Sequence, residues 1–180
     1  MRAVFLALFS FMVLWAQNPK NMSLVELFKN GYYSYICTHR WEYINRYHNK
    51  REDLLSLVAY ACLKKHRLTP ALDLAKTLRM TKEGRVNATY IDTLFMMKQL
   101  LIQYLNGEKV TKDVKLPLIK NDLLAKVFYL VQIQQPEVTN QTLEVTDRGY
   151  RYVVKYLPKI NNIEIKTYKD GKLISKDVYW

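Results

Sequence analysis

Glycine and proline are scarce, five of each in 180 residues, which excludes a flexible linker or a disordered chain. After residue 16 no apolar run approaches the roughly 20 residues of a membrane-spanning helix. Signatures of catalysis are also missing. There is no Gly-x-Ser-x-Gly elbow, no His-Glu-x-x-His, no Gly-x-x-x-x-Gly-Lys phosphate loop and no Cys-x-x-Cys pair. Haem attachment needs Cys-x-x-Cys-His, and the chain offers only Cys37-x-His39. The acidic pair Glu52-Asp53 precedes a helix, where capping and the helix dipole account for it.

What is present begins at Met1. Arg2 and the amino terminus form a short positive region, residues 3–15 are apolar, and Leu14-Trp15-Ala16 ends in a small residue. That run is short for a membrane span and right for the core of a bacterial export signal. Residues 1–16 are therefore read as a signal peptide, leaving a periplasmic or secreted protein. The alternative is an uncleaved segment anchoring the same domain to the inner membrane.

The remaining roughly 160 residues suffice for a packed core. Tyrosine is abundant, with 14 residues, and the formal charge is +12. In a cytoplasmic chain that charge would point to nucleic acid. Export excludes nucleic acid as the natural partner and redirects the charge to an envelope protein or an acidic envelope polymer.

Apolar spacing changes near Pro136. From Ser23 to about Gln132 it is helical, and from Thr142 onward it alternates. The expected fold is α+β: α-helical hairpins over residues 17–136, then a four-stranded antiparallel β-meander over 137–180. Ser23-Leu-Val-Glu26 is a capping box. A second helix is expected from Tyr33 to about Asn49, with Tyr33, Cys37, Trp41, Ile44 and Tyr47 inward. Asp53 caps a third with Leu54, Leu57, Val58, Ala61 and Cys62 inward, and Pro70 opens a fourth at its first position. The longest helix runs from about Lys82 to Asn106, with Gly107 as its stop, and Asn121-Asp122 starts the last. Strands are expected at 143–146, 150–157, 163–168 and 173–180, around Asp147-Arg148-Gly149 and Lys169-Asp170-Gly171-Lys172. Tyr150, Tyr152, Val154 and Tyr156, with Ile163, Ile165 and Thr167, define the face that packs on the helices.

Asn30-Gly31-Tyr32-Tyr33 resembles the turn and following tyrosine of tetratricopeptide-type helical repeats, and the resemblance covers residues 23–78. Ile36 and Cys37 stand where that family has small residues, and no unit recurs at the family's period of about 34 residues. The resemblance implies a hairpin packing style and a partner-binding groove.

Cys37 and Cys62 fall on inner faces of neighbouring helices. In an oxidising compartment they are expected to form a disulfide, worth about 3 kcal/mol in the chain-entropy model. A metal site built from Cys37, His39, Cys62 and His66 is disfavoured, because residues two apart on a helix diverge. No metal and no cofactor is expected. Tyr32, Tyr35 and Tyr43 fall outside the inner stripe, Lys64, Lys65 and Arg67 form the densest cationic stretch, and Trp180 ends an edge strand. These seven are the candidate partner-binding residues, the strand edge being open to pairing with another chain. An outer-membrane barrel is excluded by four strands where at least eight are needed. The expected role is a non-catalytic interaction protein; the alternative is an envelope-acting hydrolase with dispersed carboxylates.

Overall fold

The computed structural model describes residues 19–108 and 114–180; the expected signal peptide lies outside the described residues. Among the described residues seven α-helices precede a four-stranded antiparallel sheet, an α+β layout. The helices are α1 (Leu24–Lys29), α2 (Tyr33–Thr38), α3 (Arg40–Tyr47), α4 (Glu52–Leu63), α5 (Leu68–Ala75), α6 (Lys82–Leu105) and α7 (Leu123–Gln134). The strands are β1 (Thr142–Asp147), β2 (Tyr150–Leu157), β3 (Asn162–Lys169) and β4 (Lys172–Tyr179), in sequential order. Among the described residues no helix is long and apolar enough to cross a membrane.

Local chemistry sets most boundaries. Ser23 and Glu26 close the capping box on α1. The Thr81 hydroxyl accepts from Gly84 N–H to start α6, and the Asp122 carboxylate accepts from Ala125 N–H to start α7. Arg148-Gly149 and Asp170-Gly171 all take positive φ, the left-handed backbone that a two-residue hairpin matching the twist of its strands requires.

The expected second helix is broken. His39 leaves helical geometry between α2 and α3, and its ring nitrogen Nδ1 lies 2.8 Å from the Tyr35 carbonyl oxygen. One residue out of register turns the following face by about 100°. Tyr43, expected outside the core, is therefore 8% exposed, and Trp41, expected inside, is 53% exposed. Asp53 does not cap α4. It pairs with Arg51 in two contacts of 2.9 and 2.6 Å, and Arg51 stands at the N-cap with no side-chain bond to the helix's free N–H groups. Leu55 and Ala59 complete the buried face of α4 in place of Leu54 and Leu57, which are half-buried. Pro70 is the third residue of α5.

Two cores meet along α6. One gathers α1–α5 around Leu27, Ile36, Leu55 and Leu74, and reaches α6 at Ile91. The other packs Leu94, Met97 and Leu101 of α6 and Phe128 of α7 against Leu143, Val154, Ile165 and Tyr179 of the sheet. Register aligns Leu143 with Val154, Val154 with Ile165, and Ile163 with Tyr179, so one sheet face is apolar. Lys98 lies on the same stripe of α6, and burial brings its ammonium down to about 8.

The sheet edges differ. On β1, Thr146 exchanges hydrogen bonds with the Gln134 side-chain amide, and Thr142 does so with the Thr139 backbone. At the end of β4, Trp180 N–H donates to the His66 carbonyl at 2.9 Å, and the Trp180 carbonyl accepts from Leu68 and Thr69. The terminal residue thus ties its backbone to the α4–α5 corner.

Candidate functional site

Buried polar groups fix the frame of the site. Glu52 opens α4, and its carboxylate accepts from Arg79 N–H at 2.5 Å, from Met80 N–H, and from the Thr81 N–H and hydroxyl at 2.7 and 2.6 Å. It therefore caps the amino end of α6 from outside that helix. Burial opposes its charge, but the Thr81 hydroxyl and the three backbone donors prevail and hold the carboxyl at about 2. Gly84 is needed there, since a Cβ would run into the Glu52 carboxylate. This tie fixes α4 against the first half of α6.

Between those two helices lies a cleft of about 430 Å³, lined by Ser56, Leu57, Tyr60, Leu63, Asn87 and Tyr90 among others. The Asn87 amide donates to the Ser56 hydroxyl at 3.1 Å across it. Tyr60 is exposed, with Phe28 at 5.9 Å between ring centroids and the Lys64 ammonium 5.1 Å from its ring centre. Tyr90 is pushed up to about 12 by burial, with Asp122 and Tyr60 adding to the effect. At neutral pH it is a neutral phenol that offers a ring face and a hydroxyl. Together these groups can stack, donate and accept, with the Lys64 ammonium against the Tyr60 ring and the Asp53 carboxylate in the lining.

Behind Tyr90 the two cores share a polar junction. Burial raises the Asp122 carboxyl, opposed by the Ala125 and Leu124 N–H groups. Tyr179 is 1% exposed, and its hydroxyl approaches Asp122 and the Leu124 N–H without closing a hydrogen bond. Burial pushes that phenol well up. His66 stands 4.6 Å from the Tyr179 ring, with its Nε2 3.2 Å from Asp177.

Cys37 and Cys62 are joined in a disulfide between α2 and α4. His39 and His66 belong to separate contacts, and among the described residues no group of three or more His, Cys, Asp or Glu is placed to hold a metal ion. Lys64, Lys65, Arg67 and Trp180 gather at the α4–α5 corner, where Arg67 donates to the Thr38 hydroxyl at 3.2 Å. Tyr35 is half-buried and stacks on His39 at 4.0 Å, while the buried Tyr43 lies parallel to Tyr47 at 6.4 Å. Tyr32 is half-buried at the α1–α2 turn. None of the expected residues lines the α4–α6 cleft; Lys64 meets it only through the Tyr60 ring. Sequence reasoning missed Tyr60 and Tyr90, which lie on the faces of their helices turned away from the core stripe and meet only because α4 and α6 are neighbours.

Comparison of the chain with protein-family models, with curated proteins and with solved structures yields no match.

Proposed function

We propose that the chain is an exported, non-catalytic binding module that holds an acidic envelope partner, protein or polymer, in the cleft between α4 and α6. The observation carrying this reading is an open cleft faced by two tyrosines, Tyr60 and Tyr90, with the Lys64 ammonium against the Tyr60 ring. Aromatic faces supply contact area at low entropic cost, and a formal charge of +12 draws anionic partners toward the molecule. The Cys37–Cys62 disulfide fits a chain that reaches an oxidising compartment. A glycoside hydrolase would need two carboxylates facing one cleft. Here Asp53, Asp92 and Asp122 line three different clefts.

Envelope fractionation tests the proposal. The wild-type chain should remain with the envelope and leave it at modest salt, since pairing between exposed charges is screened within about 10 Å at 0.1 M. Tyr60→Ser combined with Lys64→Glu should weaken retention about tenfold. Retention equal to wild type in that variant would overturn the cleft as the binding site.

A further inference from the structure

On the other flank of α6, a second cleft of about 370 Å³ lies between Lys82, Arg85, Val86 and Tyr90 and the segment carrying Pro117 and Leu118. Its charged lining groups, Lys82 and Arg85, are both cations. Its apolar lips are bare: Val86 is 60% exposed and Leu118 70% exposed. The Arg85 guanidinium donates to the Arg79 and Met80 carbonyls at 3.1 and 3.0 Å, which fixes it at the rim beside Met80, itself 57% exposed. Lys76 and Arg79 line the adjoining cleft that shares Arg85, and Lys120 lines a cleft on the other side that shares Ile119. The acidic groups nearby are Glu83 in the first turn of α6, Asp92 in the adjoining cleft, and Asp122, which lines the cleft beyond Ile119 and acts on Tyr90. Five cations therefore frame the face against three carboxylates.

The combination discriminates between occupants. A soluble polyanion would satisfy the cations and leave Val86, Leu118 and Met80 in water. A purely apolar partner would strand Lys82 and Arg85 without their solvent. A bilayer surface meets both demands, because anionic headgroups lie above an apolar layer at the depth of short inserted side chains. We propose that this face docks on a membrane surface rich in anionic headgroups, with Lys82 and Lys120 against the headgroups and Val86 and Leu118 inserted beneath them. The site shares Tyr90 with the α4–α6 cleft, but none of Lys82, Val86, Leu118 and Lys120 lines that cleft.

Vesicle flotation of the full chain tests it, using phosphatidylcholine alone or mixed with phosphatidylglycerol. Every variant keeps residues 3–15, so any contribution of that apolar run cancels between variants on the same vesicles. Lys82→Glu with Lys120→Glu should weaken binding to the anionic vesicles about tenfold or more and leave binding to neutral vesicles unchanged. Val86→Ser with Leu118→Ser should weaken anionic binding about threefold to tenfold. Hydrogen exchange on the wild-type chain should slow around Val86 and Leu118 when anionic vesicles are added. Wild-type flotation by both double variants, or protection confined to other segments, overturns the proposal. Tyr60→Ser with Lys64→Glu should float normally. Lost envelope retention with intact flotation in that variant upholds the cleft reading, whereas normal retention there beside failed flotation of the Lys82/Lys120 variant would fault the cleft reading alone.

Discussion

The core around α1–α5 is assembled from helices of 6 to 12 residues, whereas the core beneath the sheet is assembled from the 24-residue α6, α7 and three paired hairpin-connected strand ladders. Short helices leave many backbone ends per residue and are marginal alone. The first core answers with discrete ties: the Cys37–Cys62 bond, the Glu52 carboxylate on the amino end of α6, and an Arg40–Asp73 pair at 3.0 Å. The second satisfies its backbone within the ladders and relies on buried apolar contact such as Phe128, Leu143 and Ile165. Cohesion in one core is therefore concentrated in a few removable bonds, and in the other it is spread over a continuous surface.

The sharpest test of that contrast is removal of residues 173–180. This deletes most of β4 and with it the 1%-exposed Tyr179, and removes the Trp180 backbone bonds to the α4–α5 corner. Loss of one buried aromatic already costs about 3–5 kcal/mol, and lost ladder bonds add to it. Because Trp180 is tied to His66, Leu68 and Thr69, both cores should lose cooperative melting by circular dichroism. Helices that melt as in the wild type would show that the cores are energetically separate. Cysteine removal is the complementary experiment. Cys37→Ala with Cys62→Ala should destabilise the chain by about 3 kcal/mol in urea unfolding, with hydrogen exchange accelerated in α2–α4 more than in β2 and β3. Uniform acceleration across both regions would break the distinction.

What could be read in advance follows the same division. The strands, their Arg148-Gly149 and Asp170-Gly171 turns and the inward Val154 and Ile165 are visible in the sequence, since strand periodicity and tight-turn chemistry are local. The course of α6 is equally plain from its helical apolar spacing and its stop at Gly107. The short helices obscure their own phase: a single non-helical residue at His39 exchanges the roles of Trp41 and Tyr43. Glu52 reads as the cap of its own helix, yet its partners lie 27 to 29 residues away. The α4–α6 cleft was hidden for the same reason. Tyr60 and Tyr90 carry no motif, and their pairing depends on where two helices pack.

Glu52 gives the smallest effect of the three and the clearest signature. Its folded carboxyl sits at about 2 against an ordinary value of 4.5, so the folded state binds its proton less readily than the unfolded chain does. The resulting stability is complete above about pH 4.5 and drains away as pH falls from there toward 2. Glu52→Gln keeps the volume but turns an amide toward donors that need an acceptor, and should cost about 2 kcal/mol at pH 7. Other carboxylates will still give the variant some acid sensitivity, but the gap between it and the wild type should narrow through that window and close near pH 2. Urea midpoints measured from pH 7 to pH 2 read this directly. A gap that stays constant across the range would mean that the Glu52 charge contributes nothing to holding α4 on α6, and that shape alone joins them.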